Sequence, residues 1–357
     1  MDIVMMVVYL AIVLSILVFV HEGGHYLAAR AFGARVTEFM IGLPGPSVGF
    51  TRRNTRFGVT AVPLGGYAKV CGMEPGPENP HIEAALAFAY RRGAVYADDF
   101  AAEAGITLQE ACDVLYVLED WGCLVGPKKS DEHNVFRTRA FVDKKRGIDY
   151  AEGSVREFSD AHELYLAERA QTYRALPFWK RSVILLAGIF MNLAVAIVLL
   201  VVAFSVIGVD IVNEAGAVQQ HIVLTPLESI QAGLSYIAMV VQAVAGLFNP
   251  QTAAETVSGS TSIMGMAVMS KMYADAGAAM FLQFMAMISV SLGIMNLLPI
   301  PPLDGGRFVI EIFQKLSRKV VGYKAMNYMS IAGMALFVGF FFIMLNQDIQ
   351  RFVFGNW

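Results

Sequence analysis

Two histidines four residues apart carry the strongest chemical signal in this sequence. His21 and His25 enclose Glu22 in the pentapeptide His-Glu-Gly-Gly-His. On a helix, residues four apart lie on one face, so both imidazoles can bind one metal ion while the Glu22 carboxylate points beside it at a water molecule. Zinc prefers such nitrogen ligands, at about 2.0 Å, and a catalytic zinc site keeps one position open for water. The pattern therefore predicts a metal site suited to hydrolysis.

The metal motif follows directly on an uncharged apolar segment, residues 3–20. This segment has the length of a signal-peptide core, but Met1-Asp2 supplies no basic leader and no small-residue cleavage site precedes His21. We therefore expect an uncleaved membrane helix that ends in the metal motif.

The composition favours a polytopic membrane protein. Of the 357 residues, 56% are hydrophobic and only 16% are charged, which exceeds what a soluble core needs. The net charge of -3 is too small to indicate a polyanionic partner. Cys71, Cys112 and Cys123 form an odd set without paired metal spacing, so we expect reduced structural thiols.

Three further apolar runs are long enough to cross a bilayer, which predicts about four transmembrane helices: residues 182–209, 278–303 and 326–345. A weaker run, residues 230–248, contains two glutamines and two glycines. We expect it to lie in the membrane interface or to pack against the bundle. If it spanned, the basic stretch after Gly306 would fall outside the cell.

The distribution of basic residues predicts the topology. Residues 26–181 contain 20 Lys or Arg, residues 210–277 contain one, and residues 306–324 contain five. The positive-inside rule places the first and third stretches in the cytoplasm. The amino terminus then lies outside, the first span runs inward, and the metal motif lies toward the cytoplasmic side.

The long basic stretch divides by composition. In residues 36–80, short β-type runs separated by turn residues predict a small membrane-associated β-hairpin sheet, with residues 57–62 as its edge. Residues 81–143 predict a cytoplasmic α+β insert that resembles a winged helix, with helices at 83–92, 97–104 and 107–121 and strands at 123–125 and 135–141. Thr107, with Glu110 three residues later, predicts a capping box at the start of the third helix. Residues 144–181 are expected to be a linker.

Asp304 is the best candidate for a third metal ligand. It lies at the end of the third predicted span, on the side of the membrane where His21 and His25 emerge. Ionisable residues in a membrane are costly and usually face a partner, which here would be the metal. Pro299 and Pro301 break the helix just before it and free backbone groups that a lipid-facing helix could not leave unpaired.

With these residues in place, the sequence resembles the site-2 protease family of intramembrane zinc metalloproteases, close to the bacterial regulator-of-sigma-E protease group. The matching segments cover nearly the whole chain outside residues 81–176: His21-Glu22-Gly-Gly-His25, Pro63-Leu-Gly-Gly-Tyr67, Ala187-Gly188 with Asn192, and Asn296 through Gly306. The combination of His-Glu-x-x-His with a proline-rich Leu-Asp-Gly segment is very specific.

The resemblance implies Zn2+ held by His21, His25 and Asp304, with Glu22 as general base. It also implies substrate contacts in the membrane, for which the candidates are Asn296, Asn192, Pro299 and Pro301. For both asparagines, hydrogen bonding between helices of the bundle is the alternative.

Three features depart from the family pattern. Ile189 stands where family members often have proline, and Ser291 stands where many have a second asparagine. The predicted extracytoplasmic region, residues 210–277, has a loop too short for the PDZ domain that the regulator group usually carries. The carboxy-terminal region, residues 278–357, keeps the third and fourth predicted spans.

The implied function is hydrolysis of peptide bonds within or near transmembrane segments, for example of an anti-sigma factor or a leftover signal peptide. The partners are then a transmembrane protein or peptide substrate and the lipid bilayer. The competing interpretation is a membrane-tethered regulatory or binding protein with a structural metal, acting through the insert. Glu22 argues against it, since a structural site has no need of a base. A transporter is disfavoured because the two halves show no internal repeat.

The charge of the insert disfavours a nucleic-acid partner. Residues 81–127 contain two Arg against eight Asp or Glu, and the predicted recognition helix, residues 107–121, carries no basic residue. Phosphate contacts supply most of the affinity in such complexes, so this helix would be repelled. We instead favour docking of a cytoplasmic regulator or recruitment of substrates, with an inert structural role as the remaining alternative.

Overall fold

The computed structural model describes residues 2–62, 65–74, 76, 78–128, 131, 134–143, 147–212, 218–352 and 354. Pro63 and Leu64 of the family motif, and part of the predicted extracytoplasmic loop, lie outside these ranges. The helices are α1 (Asp2–Ala31), α2 (Ile82–Arg92), α3 (Ala97–Ala104), α4 (Leu108–Asp120), α5 (Ala161–Arg169), α6 (Phe178–Val201), α7 (Pro226–Gly246), α8 (Ala253–Gly259), α9 (Ile263–Asp275), α10 (Ala278–Asn296), α11 (Asp304–Ser317) and α12 (Tyr323–Phe352).

The strands are short and form small sheets: β1 (Val36–Ile41), β2 (Ser47–Arg52), β3 (Thr55–Thr60), β4 (Gly66–Val70), β5 (Ala94–Tyr96), β6 (Leu124–Val125), β7 (Val135–Thr138), β8 (Phe141–Asp143), β9 (Ile148–Tyr150), β10 (Val209–Val212) and β11 (Val218–Ile222). The described chain is therefore mostly helical, as expected for a polytopic membrane protein.

Among the described residues, five helices are long and apolar enough to cross a bilayer: Ile3–Ala31, Phe178–Ile207, Pro226–Gly246, Ala278–Asn296 and Tyr323–Arg351. Four of them coincide with the predicted spans. The fifth is α7, which corresponds to the weaker apolar run. Its Ile237 and Val240 pack against Ala196 and Leu200 of α6, which is compatible both with packing against the bundle and with a fifth span. The count of four spans stays a prediction.

Helices α1 and α6 cross very closely at the metal motif. A Cβ atom on Gly24 would lie 2.5 Å from the carbonyl oxygen of Ala187, and one on Gly188 would lie 2.5 Å from Nε2 of His25. Such distances are shorter than side-chain carbons tolerate. Glycine at both positions therefore lets α6 pass directly over the helix face that carries the histidines.

The sheet after α1 differs from the predicted hairpin in its strand order, β2-β3-β1-β4. Strands β2 and β3 form an antiparallel hairpin, β1 pairs with β3 in parallel, and β4 pairs with β1 in an antiparallel direction. The prediction that residues 57–62 form the edge is therefore wrong, because β3 has a neighbour on both sides. The outer strands are β2 and β4.

The insert contains the predicted helices α2, α3 and α4. The Thr107 capping box is confirmed, because the Thr107 hydroxyl accepts from Glu110 N–H while the Glu110 side chain accepts from Thr107 N–H.

Strand β5 was not predicted, and it completes a sheet of order β5-β7-β6. The run predicted as one strand, residues 135–141, is divided, because β8 pairs with β9 instead. The winged-helix assignment stays a prediction.

Residues 144–181 are more than a linker, since they include β9 and α5. On α5, Glu168 is buried and forms an ion pair with Arg35 at 2.6 Å. It also accepts a hydrogen bond of 2.7 Å from the hydroxyl of Tyr90 on α2. Removing one member of a buried ion pair is strongly destabilising. These contacts therefore tie the segment between α1 and β1 to α5 and, through Tyr90, to α2 of the insert.

The three cysteines are free and buried, in agreement with the expected structural thiols. Burial, and then the neighbouring Glu168 carboxylate, raise the pKa of the Cys123 thiol to about 12. The reactive thiolate form of Cys123 is therefore disfavoured at neutral pH.

The close crossing predicts different effects for the two glycines of the metal motif. Gly24→Ala should lower the free energy of unfolding by about 1–3 kcal/mol, because the new methyl group would overlap the backbone of α6. Gly23→Ala is the matched control, since no atom lies within 4 Å of a Cβ built there. Thermal unfolding of both variants in one detergent measures the difference, and equal midpoints would contradict the crossing.

Candidate metal centre

Three side chains converge at one point between α1 and α11. The Oδ2 atom of Asp304 lies 3.0 Å from Nε2 of His21 and 3.1 Å from Nε2 of His25. The two Nε2 atoms are 3.3 Å apart. Ligands held tetrahedrally at about 2.0 Å from one zinc ion lie about 3.3 Å from each other. The spacing and the chemistry of these donors therefore fit zinc, with the fourth position left for water or substrate.

Each histidine is oriented through its second ring nitrogen. The Nδ1 atom of His25 lies 2.7 Å from the carbonyl oxygen of Ile184, an acceptor, so Nδ1 carries the proton and Nε2 keeps a lone pair for a metal. The Nδ1 atom of His21 lies 3.2 Å from the side-chain amide nitrogen of Asn192.

Asn192 is fully buried, and its Oδ1 atom has no hydrogen-bond partner among the described residues. A metal on Nε2 of His21 would leave the proton on Nδ1, which then needs an acceptor. Rotation of the Asn192 amide by half a turn would bring Oδ1 to that proton. The orphaned oxygen is thus accounted for by a metal on His21.

Glu22 stands beside the cluster on the same helix. Its Oε2 atom accepts a hydrogen bond of 3.0 Å from the backbone N–H of Ala68 on β4. The sheet therefore fixes the Glu22 carboxylate, which is predicted to lie next to the metal. Ala68 is opposite Phe39 in the ladder with β1, yet its N–H points away from β1 toward Glu22. The outer edge of β4 consequently faces the candidate centre.

A cavity of about 400 Å³ opens onto the cluster. Its lining includes Glu22, Tyr67, Met73, Asn296, Asp304 and Arg307. Of the predicted substrate contacts, Asn296 lines this cavity, and its amide donates to the carbonyl of Leu292 at 2.9 Å. Asn192, Pro299 and Pro301 do not line it. Asn192 lies behind His21, which favours an orienting role over the predicted contact with substrate.

The proline segment does break the helix, as expected. It includes Pro299 and Pro301 and separates α10 from α11, which begins at Asp304. Short turns satisfy part of its backbone: Ile300 N–H donates to Leu298, and Leu303 N–H donates to Ile300. The break therefore places Asp304 at the start of a new helix, facing the two histidines.

Several residues and backbone groups at the centre carry no signal in the sequence. The Ala68 N–H and the Ile184 carbonyl are backbone groups, which every residue type supplies, so no residue signal could have found them. Arg307 and Met73 line the cavity but belong to no recognisable pattern. Gly188 was noted only through the family motif, and its contact with the histidine rings was visible only in three dimensions.

Comparison with known proteins identifies one matching family and several similar proteins. The family model described as Peptidase family M50 matches residues 9–340. A protein of Rickettsia conorii named "Putative zinc metalloprotease" is 25% identical over 95% of this chain and 97% of its own length. Proteins with the same description from Agrobacterium fabrum and Mesorhizobium japonicum are 26% and 28% identical, over 96% and 92% of this chain and 95% of each relative.

The family model covers most of the chain, including both histidines and Asp304. The relatives align over almost their full length. The chain therefore belongs to peptidase family M50, the site-2 protease family of zinc metalloproteases.

Proposed function

We propose that this protein hydrolyses peptide bonds within or near transmembrane segments of membrane-protein substrates, with zinc held by His21, His25 and Asp304. The observation that carries the proposal is the convergence of these three donors, at 3.0–3.3 Å from one another, beside Glu22 on a helix of membrane-spanning length. Polar groups of this kind are costly in a membrane unless they serve a partner or a reaction.

The chain's own residues can perform the proton transfers of peptide hydrolysis. Zinc, when bound, polarises the scissile carbonyl and makes a water molecule acidic enough to react near neutral pH. Glu22 would take the proton from that water and deliver it to the leaving amine. The hydrogen bond from Ala68 N–H holds the carboxylate in place, and a backbone amide adds no second base that could compete for this proton.

A substrate helix must unwind before its backbone can reach the centre. The outer edge of β4 offers hydrogen-bonding groups next to Glu22, so we propose that the unwound segment pairs there. Asn296 lines the same cavity and would contact the same segment. Pro299 and Pro301 would act by shaping the loop that carries Asp304.

Asn192 is proposed to orient His21 through Nδ1. Its buried position and its contact of 3.2 Å with that nitrogen support this role. Ser289 donates to the backbone carbonyl of Asn192 at 2.8 Å and holds α10 against this part of α6.

We propose a bacterial cell membrane as the location, with the amino terminus outside and the centre toward the cytoplasm. The excess of Lys and Arg in residues 26–181 and 306–324 supports this orientation.

The insert is proposed to recruit or gate substrates from the cytoplasmic side. Support comes from Asn54, at the tip of the β2–β3 hairpin. Its side-chain amide donates to Val142 O at 3.1 Å, and its Oδ1 accepts from Val142 N–H at 2.9 Å. A cavity of about 950 Å³ adjoins this contact. A displacement of the insert would therefore reach the sheet that holds Glu22.

Replacing Glu22 tests the proposed activity. Glu22→Gln should keep zinc but lower the cleavage rate of a single-span model substrate by about 10²–10⁴-fold, because the base is lost. Asp304→Ala is the comparison, since it should lose both zinc and cleavage. Metal analysis and a gel-based cleavage assay in detergent measure the two effects. Equal cleavage by wild type and Glu22→Gln would favour a different base.

Replacing Asn192 tests the orienting role. Asn192→Leu should weaken zinc binding by about 10–100-fold, as loss of an outer-shell partner does. Asn192→Asp should restore most of the affinity, because a carboxylate can accept from Nδ1–H. Competition with a chelator gives the affinities, and Asn296→Leu serves as the control within the cavity. Wild-type zinc affinity in Asn192→Leu would refute the role.

Replacing Asn54 tests the link to the insert. Asn54 has a φ of 63°, so Asn54→Gly removes the side chain without straining the turn. It should change the ratio of cleavage rates for two different substrates while zinc content stays the same. Arg53→Gly is the matched control, with a φ of 52° at the adjacent position. The same ratio in both variants would speak against the link.

A further inference from the structure

On the amphipathic helix α11, a charged residue faces the rest of the protein. Glu311 is 7% exposed and forms an ion pair with Arg181 of α6 at 3.1 Å. Its other oxygen lies 3.4 Å from the hydroxyl of Tyr173, which donates to it. Ile310 is buried beside it. The side of α11 that carries Ile310 and Glu311 therefore holds the helix against the rest of the protein.

The apolar side of α11 faces outward. Val309, Phe313 and Leu316 are 45%, 53% and 79% exposed. Spacings of four and three residues place them on one face of the helix. Val320, in the segment that follows, is also exposed. Such a stripe would be unfavourable in water.

The exposed charges around this stripe are all positive. Residues 305–324 contain five basic residues, and Glu311 is the single acidic one. All five are exposed: Arg307, Lys315, Arg318, Lys319 and Lys324. A second copy of the same surface would bring like charges together. An apolar stripe flanked by positive charges matches a lipid bilayer, whose interior is apolar and whose surface carries anionic headgroups.

The position of α11 in the chain keeps the helix close to the bilayer. It lies between α10 and α12, both of which are long and apolar enough to span a bilayer. The connections, residues 297–303 and 318–322, are short. The second one is held compact by a hydrogen bond of 3.2 Å from Val321 N–H to the side chain of Gln314. Helix α11 therefore cannot extend far from the membrane.

We propose that α11 lies in the bilayer surface, with Val309, Phe313 and Leu316 among the acyl chains and Lys315 and Lys319 bound to anionic phospholipid headgroups. Asp304 is the first residue of this helix. Lipid on one side and the Glu311–Arg181 ion pair on the other would thus hold the helix that carries the third proposed metal ligand. This inference goes beyond the proposed proteolysis and does not depend on it.

The immersion of the apolar stripe can be measured directly with a fluorophore. All three native cysteines are buried, so a single introduced cysteine can be labelled selectively. Leu316→Cys, labelled with an environment-sensitive dye in the full chain, should be quenched by nitroxide-labelled phospholipids in reconstituted vesicles. Gln109→Cys, at an exposed position on α4, is the control and should stay unquenched. Equal, low quenching at both positions would overturn the proposal.

The preference for anionic lipid has its own test in the same vesicles. With the Leu316→Cys label, nitroxide-labelled phosphatidylglycerol should quench more strongly than nitroxide-labelled phosphatidylcholine at equal mole fraction. Lys315→Gln with Lys319→Gln should reduce this preference by about fivefold for each charge removed, while Lys315→Arg with Lys319→Arg should keep it. Equal quenching by the two lipids in the parent protein would refute headgroup binding. None of these signals requires cleavage of a substrate, so they stand or fall apart from the proposed activity.

Discussion

The whole arrangement depends on bringing three polar side chains to one point inside a bundle of apolar helices. His21 and His25 come from α1, and Asp304 comes from the start of α11, with their donor atoms 3.0–3.3 Å apart. In a bilayer there is no water to compensate a polar group that lacks a partner. These three side chains therefore depend on one another and on further partners within the protein, and a shared metal ion is the partner proposed for all three.

Backbone groups supply two of the contacts that orient side chains at this centre: the Ile184 carbonyl contacts His25, and the Ala68 N–H contacts Glu22. Gly24 and Gly188 let α1 and α6 approach closely enough for the carbonyl of Ile184 to reach His25. The proline segment before α11 interrupts α10, so that a new helix can begin with Asp304 next to the histidines. Strand β4 then presents Ala68 N–H to Glu22. The centre is thus assembled from close packing and helix interruption as much as from its ligands.

Two of the contacts that join residues 81–181 to α1 and the sheet differ in character. The buried pair of Arg35 and Glu168 connects the segment between α1 and β1 with α5 and α2. Asn54 connects the sheet with β8 through two hydrogen bonds to Val142. One contact is charged and buried, and the other consists of neutral hydrogen bonds at an exposed tip. The second contact therefore costs less free energy to break than the first.

The sequence by itself was enough to predict the metal motif, the third candidate ligand, four of the long apolar helices and the capped helix of the insert. These depend on local spacing, helix periodicity and side-chain chemistry, which can be recognised without coordinates. The strand order β2-β3-β1-β4, the extra strand β5 and the contacts of Asn192, Ala68 and Ile184 came only from the tertiary structure. Strand pairing joins residues distant in the chain, and backbone donors and acceptors are the same in almost every residue, so their partners are decided only when the helices and sheets pack together.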